Sequence, residues 1–145
     1  MERKFDICFS PIGSERNIDQ WDFVLSHWKP DNIYLLGVEE HPWPYHNPLK
    51  KAICIRNTDW LPPGELVLLA PKKGKYFQGN VALPDFDHPE KCIYMFGPDH
   101  HHISNDLIGQ RKPDSTVYIP TDTVDEMYAF TAAAVTLYDR YVKNG

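Results

Sequence analysis

The residues best equipped for chemistry lie in one stretch, Cys92 to Ser104, which reads CIYMFGPDHHHIS. An apolar run stops there at Gly97-Pro98 and opens into Asp99 and the consecutive histidines His100, His101 and His102. A carboxylate and three imidazoles offer two chemistries: metal ligation, and proton transfer near neutral pH, where an unperturbed imidazole titrates. Metal binding is the weaker reading. Consecutive residues point to opposite faces of a strand and fan around a helix, so three adjacent histidines do not converge readily on one ion. A solvated or dimer-contact run accounts for them as well, and no metal site is assigned.

Basic residues form three short clusters, Lys50-Lys51, Lys72-Lys73-Lys75 and Arg111-Lys112. The second lies beside Tyr76 and Phe77, whose rings can stack on nucleobases. Solvated loop charge is the competing reading for each cluster. The overall charge of −5 argues against charge-driven nucleic-acid binding across the whole surface, while leaving room for a local patch. Cys8, Cys54 and Cys92 sit inside apolar segments without CxxC spacing, which fits reduced, buried thiols of a cytosolic protein better than a disulfide framework or a zinc site.

The elements that must position these groups follow from apolar runs and turn signals. Phe5 to Phe9 reads as a first strand. Ser14 can cap a helix with Ile18, Trp21, Leu25 and Trp28 at near-helical spacing, ended by Pro30. Asn32 to Gly37, Lys51 to Arg56, Glu65 to Ala70, Cys92 to Phe96 and Thr116 to Ile119 read as further strands. Prolines 42, 44 and 48 make Val38 to Pro48 a rigid loop, and Pro71 to Glu90 is loop-rich. Ile103 to Gly109 is expected to be a short helix. Asp122 or Thr123 can cap a last helix, with Asp125 and Glu126 in its first turn, where carboxylates favour the positive helix end. Met127, Phe130, Ala134, Leu137, Tyr138 and Tyr141 mark one face of it, and Ala132 to Ala134 a small-residue surface.

Strand, helix and strand alternate at the start, which makes an α/β fold with a mostly parallel sheet and helices on both faces the leading class. In such sheets ligands bind outside the carboxyl ends of the strands, where the Gly97 turn falls. The chain of 145 residues reads as one domain, 1–145, with the composition of an ordinary globular protein, 42% apolar and 24% charged. No apolar run approaches the length of about eighteen residues that spans a bilayer, and no export signal is recognisable, so a cytoplasmic location without membrane contact is expected.

Three segments in order, ELVLLAPKKG, IYMFGPD and VYIPTDTVDEMYAFTAAAVTLYDRY, resemble the knotted half of the SPOUT class of RNA methyltransferases, in particular the compact TrmH-type 2′-O-ribose enzymes. The resemblance covers Glu65 to Tyr141, about residues 65–145 being the knotted half. In that family a strand ending in an FGPE-like turn precedes a strand ending in IP and a helix resembling SMNLSNAVSVVLYE. The resemblance implies a C-terminal trefoil knot, a rare exception to unthreaded topology, and a homodimer formed through the knot and the last helix. It also implies bent S-adenosylmethionine held by the backbone of three loops. Carried onto this chain, the cofactor-binding residues are Ala70, Pro71, Lys72, Gly74, Gly97, Pro98, Asp99, Ile119, Thr121 and Met127. The implied activity is an S-adenosylmethionine-dependent RNA 2′-O-ribose methyltransferase acting on tRNA or rRNA.

The departures fall on the catalytic motifs. Asp99 replaces the glutamate of FGPE, His102-Ile103 replace a Gly-Leu pair, and Glu126-Met127-Tyr128 stand where the family has Ser-Met-Asn or Ser-Leu-Asn. The arginine that members carry in the first helix has no in-register counterpart in Trp21, Asp22, Phe23, Val24 and Leu25; Arg16 is the nearest. Transfer to a 2′-hydroxyl needs the hydroxyl held in line with the sulfonium methyl and a group that eases loss of its proton. Arg16 and Glu126 are the candidate catalytic residues, with Asp99 and the three histidines as other bases. Each also has a structural reading, as a cap, a helix-end charge or a surface charge. The alternatives are a degenerate domain that binds a small molecule or RNA and, further off, an unrelated metal-dependent α/β enzyme using His100 to His102.

Overall fold

The computed structural model describes residues 4–11, 15–42, 49–70, 81–98, 105–122 and 127–144. Each expected apolar run forms a strand: β1 Lys4–Phe9, β2 Ile33–Leu36, β3 Ile53–Ile55, β4 Glu65–Leu69, β6 Lys91–Phe96 and β7 Ser115–Tyr118. The one addition is the two-residue β5, Val81–Ala82, inside the segment read as loop. All pair in parallel, in the order β3-β2-β1-β6-β4-β7-β5. A parallel sheet is covered on both faces, which is why its strands are continuously apolar.

Alternation divides the core in two. Phe5, Ile7 and Phe9 of β1, with Tyr94 and Phe96 of β6, face the helices α1 (Ile18–Trp28) and α3 (Ala129–Asn144). Cys8, Leu66, Leu68, Ile93 and Met95 face the other way, toward Leu61 and the short helix α2 (Asn105–Ile108), which supplies Leu107 and Ile108. Trp21 of α1 is fully buried and stacks on Phe9, ring centroids 3.9 Å apart, with Phe96 edge-on at 5.9 Å. Such ring pairs add about 0.5–1.5 kcal/mol beyond their buried area. Helix α1 ends at Lys29, whose left-handed conformation (φ 48°) lets its N–H return to the Leu25 carbonyl.

Two expectations for the last helix are corrected. It begins at Ala129, not after a cap at Asp122 or Thr123, with the Ala132 N–H bonded to the Tyr128 carbonyl. Its buried residues are Ala129, Ala133, Thr136, Leu137 and Arg140; of the expected face Leu137 is buried, Met127, Phe130 and Ala134 are half-buried, and only Tyr138 and Tyr141 turn to solvent. Ala133 is closed against the sheet, and the open apolar stripe is instead Val135, Tyr138, Tyr141 and Val142. The physical reason is Arg140: its terminal nitrogens donate to the Pro89 and Glu90 carbonyls and to the Tyr94 hydroxyl under the helix, so a residue that hydropathy places outside lies inside.

On the α2 side, Arg111 corrects another reading. Its guanidinium donates to the carbonyls of Leu61 (3.0 Å), Pro62 (2.6 Å) and Gly64 (2.6 Å), while Asp59 accepts from the backbone N–H groups of Gln110 and Arg111. The Thr58 hydroxyl lies against the Ile108 and Arg111 carbonyls, which share its single proton. Gly109, at φ +62°, closes this clamp, and a Cβ there would lie 2.7 Å from an Asp59 carboxylate oxygen. Arg111 ties α2 to the loop before β4 and is not a free phosphate contact.

Candidate active site at the carboxyl edge of the sheet

Strands β6, β4 and β7 are neighbours, and their ends are in register: Leu69 pairs with both Phe96 and Val117. The ladder continues one step further, the Ala70 N–H donating to the Val117 carbonyl at 2.9 Å and the Ser10 N–H to the Phe96 carbonyl at 3.3 Å. Three of the segments singled out in the sequence therefore leave the sheet side by side. Ala70, Gly97, Pro98 and Ile119 are half-buried there, and Thr121 is exposed. Met127 is half-buried two residues before α3, and Ile119 packs against the core under α1 and α3.

Pro71, Lys72, Gly74, Asp99 and Glu126 lie outside the described residues, as do the Lys72-Lys73-Lys75 cluster with Tyr76 and Phe77, and His100 to His102. Among the described residues no group of histidine, cysteine or carboxylate side chains could hold a metal ion. Arg16 is exposed in the 3₁₀ turn Glu15–Asn17 that enters α1. In the α1 stretch Trp21 to Leu25, expected to hold no counterpart of the resembled family's arginine, Trp21 is stacked in the core and the Asp22 carboxylate accepts the Leu49 N–H at 3.2 Å. Neither is a cation. Among the described residues the edge is built largely from backbone and small or apolar side chains, which suits a ligand recognised through main-chain groups.

Among the described residues, the densest set of titratable side chains lies at the opposite, amino-terminal edge, and none of it stands out as a site in the sequence. His88 donates through Nε2 to Asp139 (2.7 Å) and accepts at Nδ1 from the Tyr94 hydroxyl (2.6 Å). The Tyr94 oxygen in turn accepts from Arg140 Nη1 at 2.9 Å. Arg140 also donates to the carbonyls of Pro89 and Glu90, both at 2.7 Å, and Lys143 binds Asp139 at 2.8 Å and the carbonyls of Leu83 and Phe86.

One tautomer satisfies every bond. Burial lowers the His88 pKa from its ordinary value against the pull of Asp139, so the ring is neutral and Lys143 supplies the charge facing that carboxylate. Burial pushes the Tyr94 phenol up, and the Cys92 thiol up to about 11. A histidine side chain with no solvent exposure between a tyrosine and an aspartate looks like an acid-base device, but no substrate reaches it. Its role is to fasten α3 to the loop before β6. Cys8, Cys54 and Cys92 are all free, as expected of reduced thiols.

No protein-family model matches the chain, and no curated protein matches its sequence. Solved structures do match. The SpoU methyltransferase AviRb from Streptomyces viridochromogenes, in complex with its cofactor AdoMet, superposes with a TM-score of 0.75 at 18% identity, covering 99% of this chain and 59% of that one. An RNA 2′-O ribose methyltransferase gives 0.73 at 12% identity, covering 99% and 58%. An AdoMet-bound rRNA methyltransferase from Sinorhizobium meliloti gives 0.72 at 14%, covering 98% and 57%. The chain therefore shares the α/β fold of the SpoU/TrmH RNA methyltransferases while spanning less than two thirds of the length of these three. The expected fold class stands in its architecture, with a seven-stranded sheet that is parallel throughout. No helix among the described residues is long and apolar enough to cross a membrane.

Proposed function

We propose that this chain is an RNA methyltransferase of the SpoU/TrmH type that uses S-adenosylmethionine to methylate a ribose 2′-hydroxyl in tRNA or rRNA. The observation that carries the reading is the meeting of Ala70, Gly97-Pro98 and Ile119 at one edge of a sheet whose fold is shared with methyltransferases bound to AdoMet. The cofactor fits this edge chemically: glycine permits close backbone approach, and the half-buried Pro98, Ile119 and Met127 offer apolar contact to a nucleoside. Ala70, Pro71, Lys72, Gly74, Gly97, Pro98, Asp99, Ile119, Thr121 and Met127 are the residues proposed to hold it. When bound, it supplies an electrophilic methyl group. The acceptor oxygen gains that methyl as the sulfonium carbon–sulfur bond breaks, and the hydroxyl proton must pass to a base.

For that proton we assign Glu126, with Asp99 and the histidines 100 to 102 as the other bases within the same loops. Arg16 is assigned to the acceptor phosphate or ribose, since it stands exposed where the chain enters α1 from the carboxyl edge. The reading includes a trefoil knot within residues 65–145, a single domain over 1–145, a cytoplasmic location and a homodimer through α3. The exposed stripe Val135, Tyr138, Tyr141 and Val142 supports the dimer, because an apolar helix face of this size calls for a partner surface.

The second reading is a domain that binds a small molecule or RNA without catalysis. It is favoured by Trp21 and Asp22, which fill the region of the family's arginine and are committed to the core and to Leu49. Transfer of a labelled methyl group from S-adenosylmethionine to bulk tRNA and rRNA separates the two. Incorporation sensitive to Glu126→Gln supports the enzyme, and cofactor binding without incorporation into any RNA supports the binding domain.

A further inference from the structure

Four side-chain polar atoms are buried without a hydrogen-bond partner among the described residues: Ser10 Oγ, Trp21 Nε1, Thr136 Oγ1 and Arg140 Nε. Three belong to the layer under α1 and α3. There Trp21 gains a ring stack, Arg140 uses its other nitrogens on Pro89, Glu90 and Tyr94, and Thr136 lies inside the buried face of α3. Ser10 differs in place and in compensation. It is fully buried, follows the last residue of β1, and its backbone N–H is already used on the Phe96 carbonyl. The side-chain hydroxyl is what remains unanswered, and a buried hydroxyl without a partner is costly to keep.

The registers locate it. Phe9 pairs with Leu35 and with Phe96, and Leu69 pairs with Phe96, so one residue further on the row across the sheet reads Leu36, Ser10, Gly97, Ala70. Strand alternation sends the Ser10 side chain to the same face as Cys8, the face that carries Leu36 and against which Ala70 packs. Next to it in the row stands Gly97, which has no side chain. A hydroxyl lacking a partner therefore borders the position where the middle cofactor loop leaves the sheet.

We infer that Ser10 is a ligand-contacting residue, its hydroxyl hydrogen-bonding a polar group of the S-adenosylmethionine seated over Gly97, so that the site draws on the end of β1 as well as on β4, β6 and β7. The inference rests on the cofactor reading above. It extends that reading to a strand outside residues 65–145 and to a side chain, where the three loops offer mainly backbone.

The test uses Ser10→Ala, with calorimetric titration of S-adenosylmethionine and S-adenosylhomocysteine alongside thermal unfolding of the free protein. Removing an orphaned hydroxyl raises the melting temperature of the free protein, by about 2–4 °C for a chain of this size. The same change weakens binding of both ligands about tenfold, the value of one hydrogen bond. Opposite signs of the two effects are the signature; a hydroxyl that merely completes the core lowers stability on removal and leaves affinity alone. Wild-type binding with unchanged affinity in Ser10→Ala overturns this inference and spares the cofactor reading, and so does an effect confined to the KM for RNA. Absence of binding to the wild-type protein overturns both.

Discussion

The two edges of the sheet use side chains in opposite ways. At the amino-terminal edge, His88, Tyr94, Asp139, Arg140 and Lys143 form a closed network in which nearly every donor and acceptor is answered and the loop before β6 is locked to α3. At the carboxyl-terminal edge, the described ends of β1, β4, β6 and β7 offer backbone, small or apolar side chains and the buried, unanswered Ser10 hydroxyl. A network answered in all but the Arg140 Nε, with the His88 side chain closed to solvent, makes the scaffold rigid. An edge with unspent hydrogen-bonding capacity is where a ligand gains most. Among the described residues, titratable side chains gather at the end opposite the proposed cofactor site, while Gly97 and the unanswered Ser10 hydroxyl lie beside it.

The sharpest break of the contrast is Gly97→Trp. An indole introduced into the row between Ser10 and Ala70 is expected to abolish the heat of S-adenosylmethionine binding while the unfolding midpoint in urea moves little, because the amino-edge network is untouched. Arg140→Ala is the mirror experiment. It strips donors from two carbonyls and from Tyr94, and is expected to cost about 3 kcal/mol or more of stability by urea unfolding. Whatever folds should bind the cofactor normally.

The pH dependence probes the same network more gently. Burial holds the folded pKa of His88 below its unfolded value of 6.5, so the unfolded chain takes up the proton first. The contribution of the neutral ring is complete above about pH 6.5 and is lost as the pH falls through and below that value. His88→Gln should flatten this part of the stability profile in urea titrations taken between pH 7.5 and pH 5. The smallest effect on the fold is expected from Tyr138→Glu combined with Val142→Lys on the exposed stripe of α3. Stability of the subunit should change by less than about 0.5 kcal/mol, while light scattering at micromolar concentration tests the proposed dimer, which these two changes should disrupt.

The sheet was legible in the sequence because its strands are buried on both faces, so FDICF, NIYLLG, ELVLLA and CIYMF stand out as apolar runs. β5 was not legible, since Val81-Ala82 is too short for any period to show. The buried face of α3 is only partly legible in the sequence, Leu137 being the one residue of the expected face that is fully buried, and the reason is physical. A helix face containing Thr136 and Arg140 scores as polar, yet both are buried, and Arg140 is solvated by carbonyls some fifty positions away in the chain, which no local pattern records. His88 was overlooked on the same ground, its partners Tyr94 and Asp139 meeting only in three dimensions. For the candidate site, the strand ends and Gly97 could be found because turn residues mark them. Ser10 could not, because an unanswered hydroxyl becomes visible only when its surroundings are known.

The claim on which the rest depends is that the carboxyl edge takes S-adenosylmethionine. Backbone amide resonances of the labelled protein, followed during titration with the cofactor, test it directly. The account predicts shifts at Ser10, Ala70, Gly97 and Ile119, with the amides around His88 and Arg140 left in place. Shifts confined to the amino edge, or no saturable shifts at millimolar cofactor (on the order of −4 kcal/mol or weaker), would contradict it.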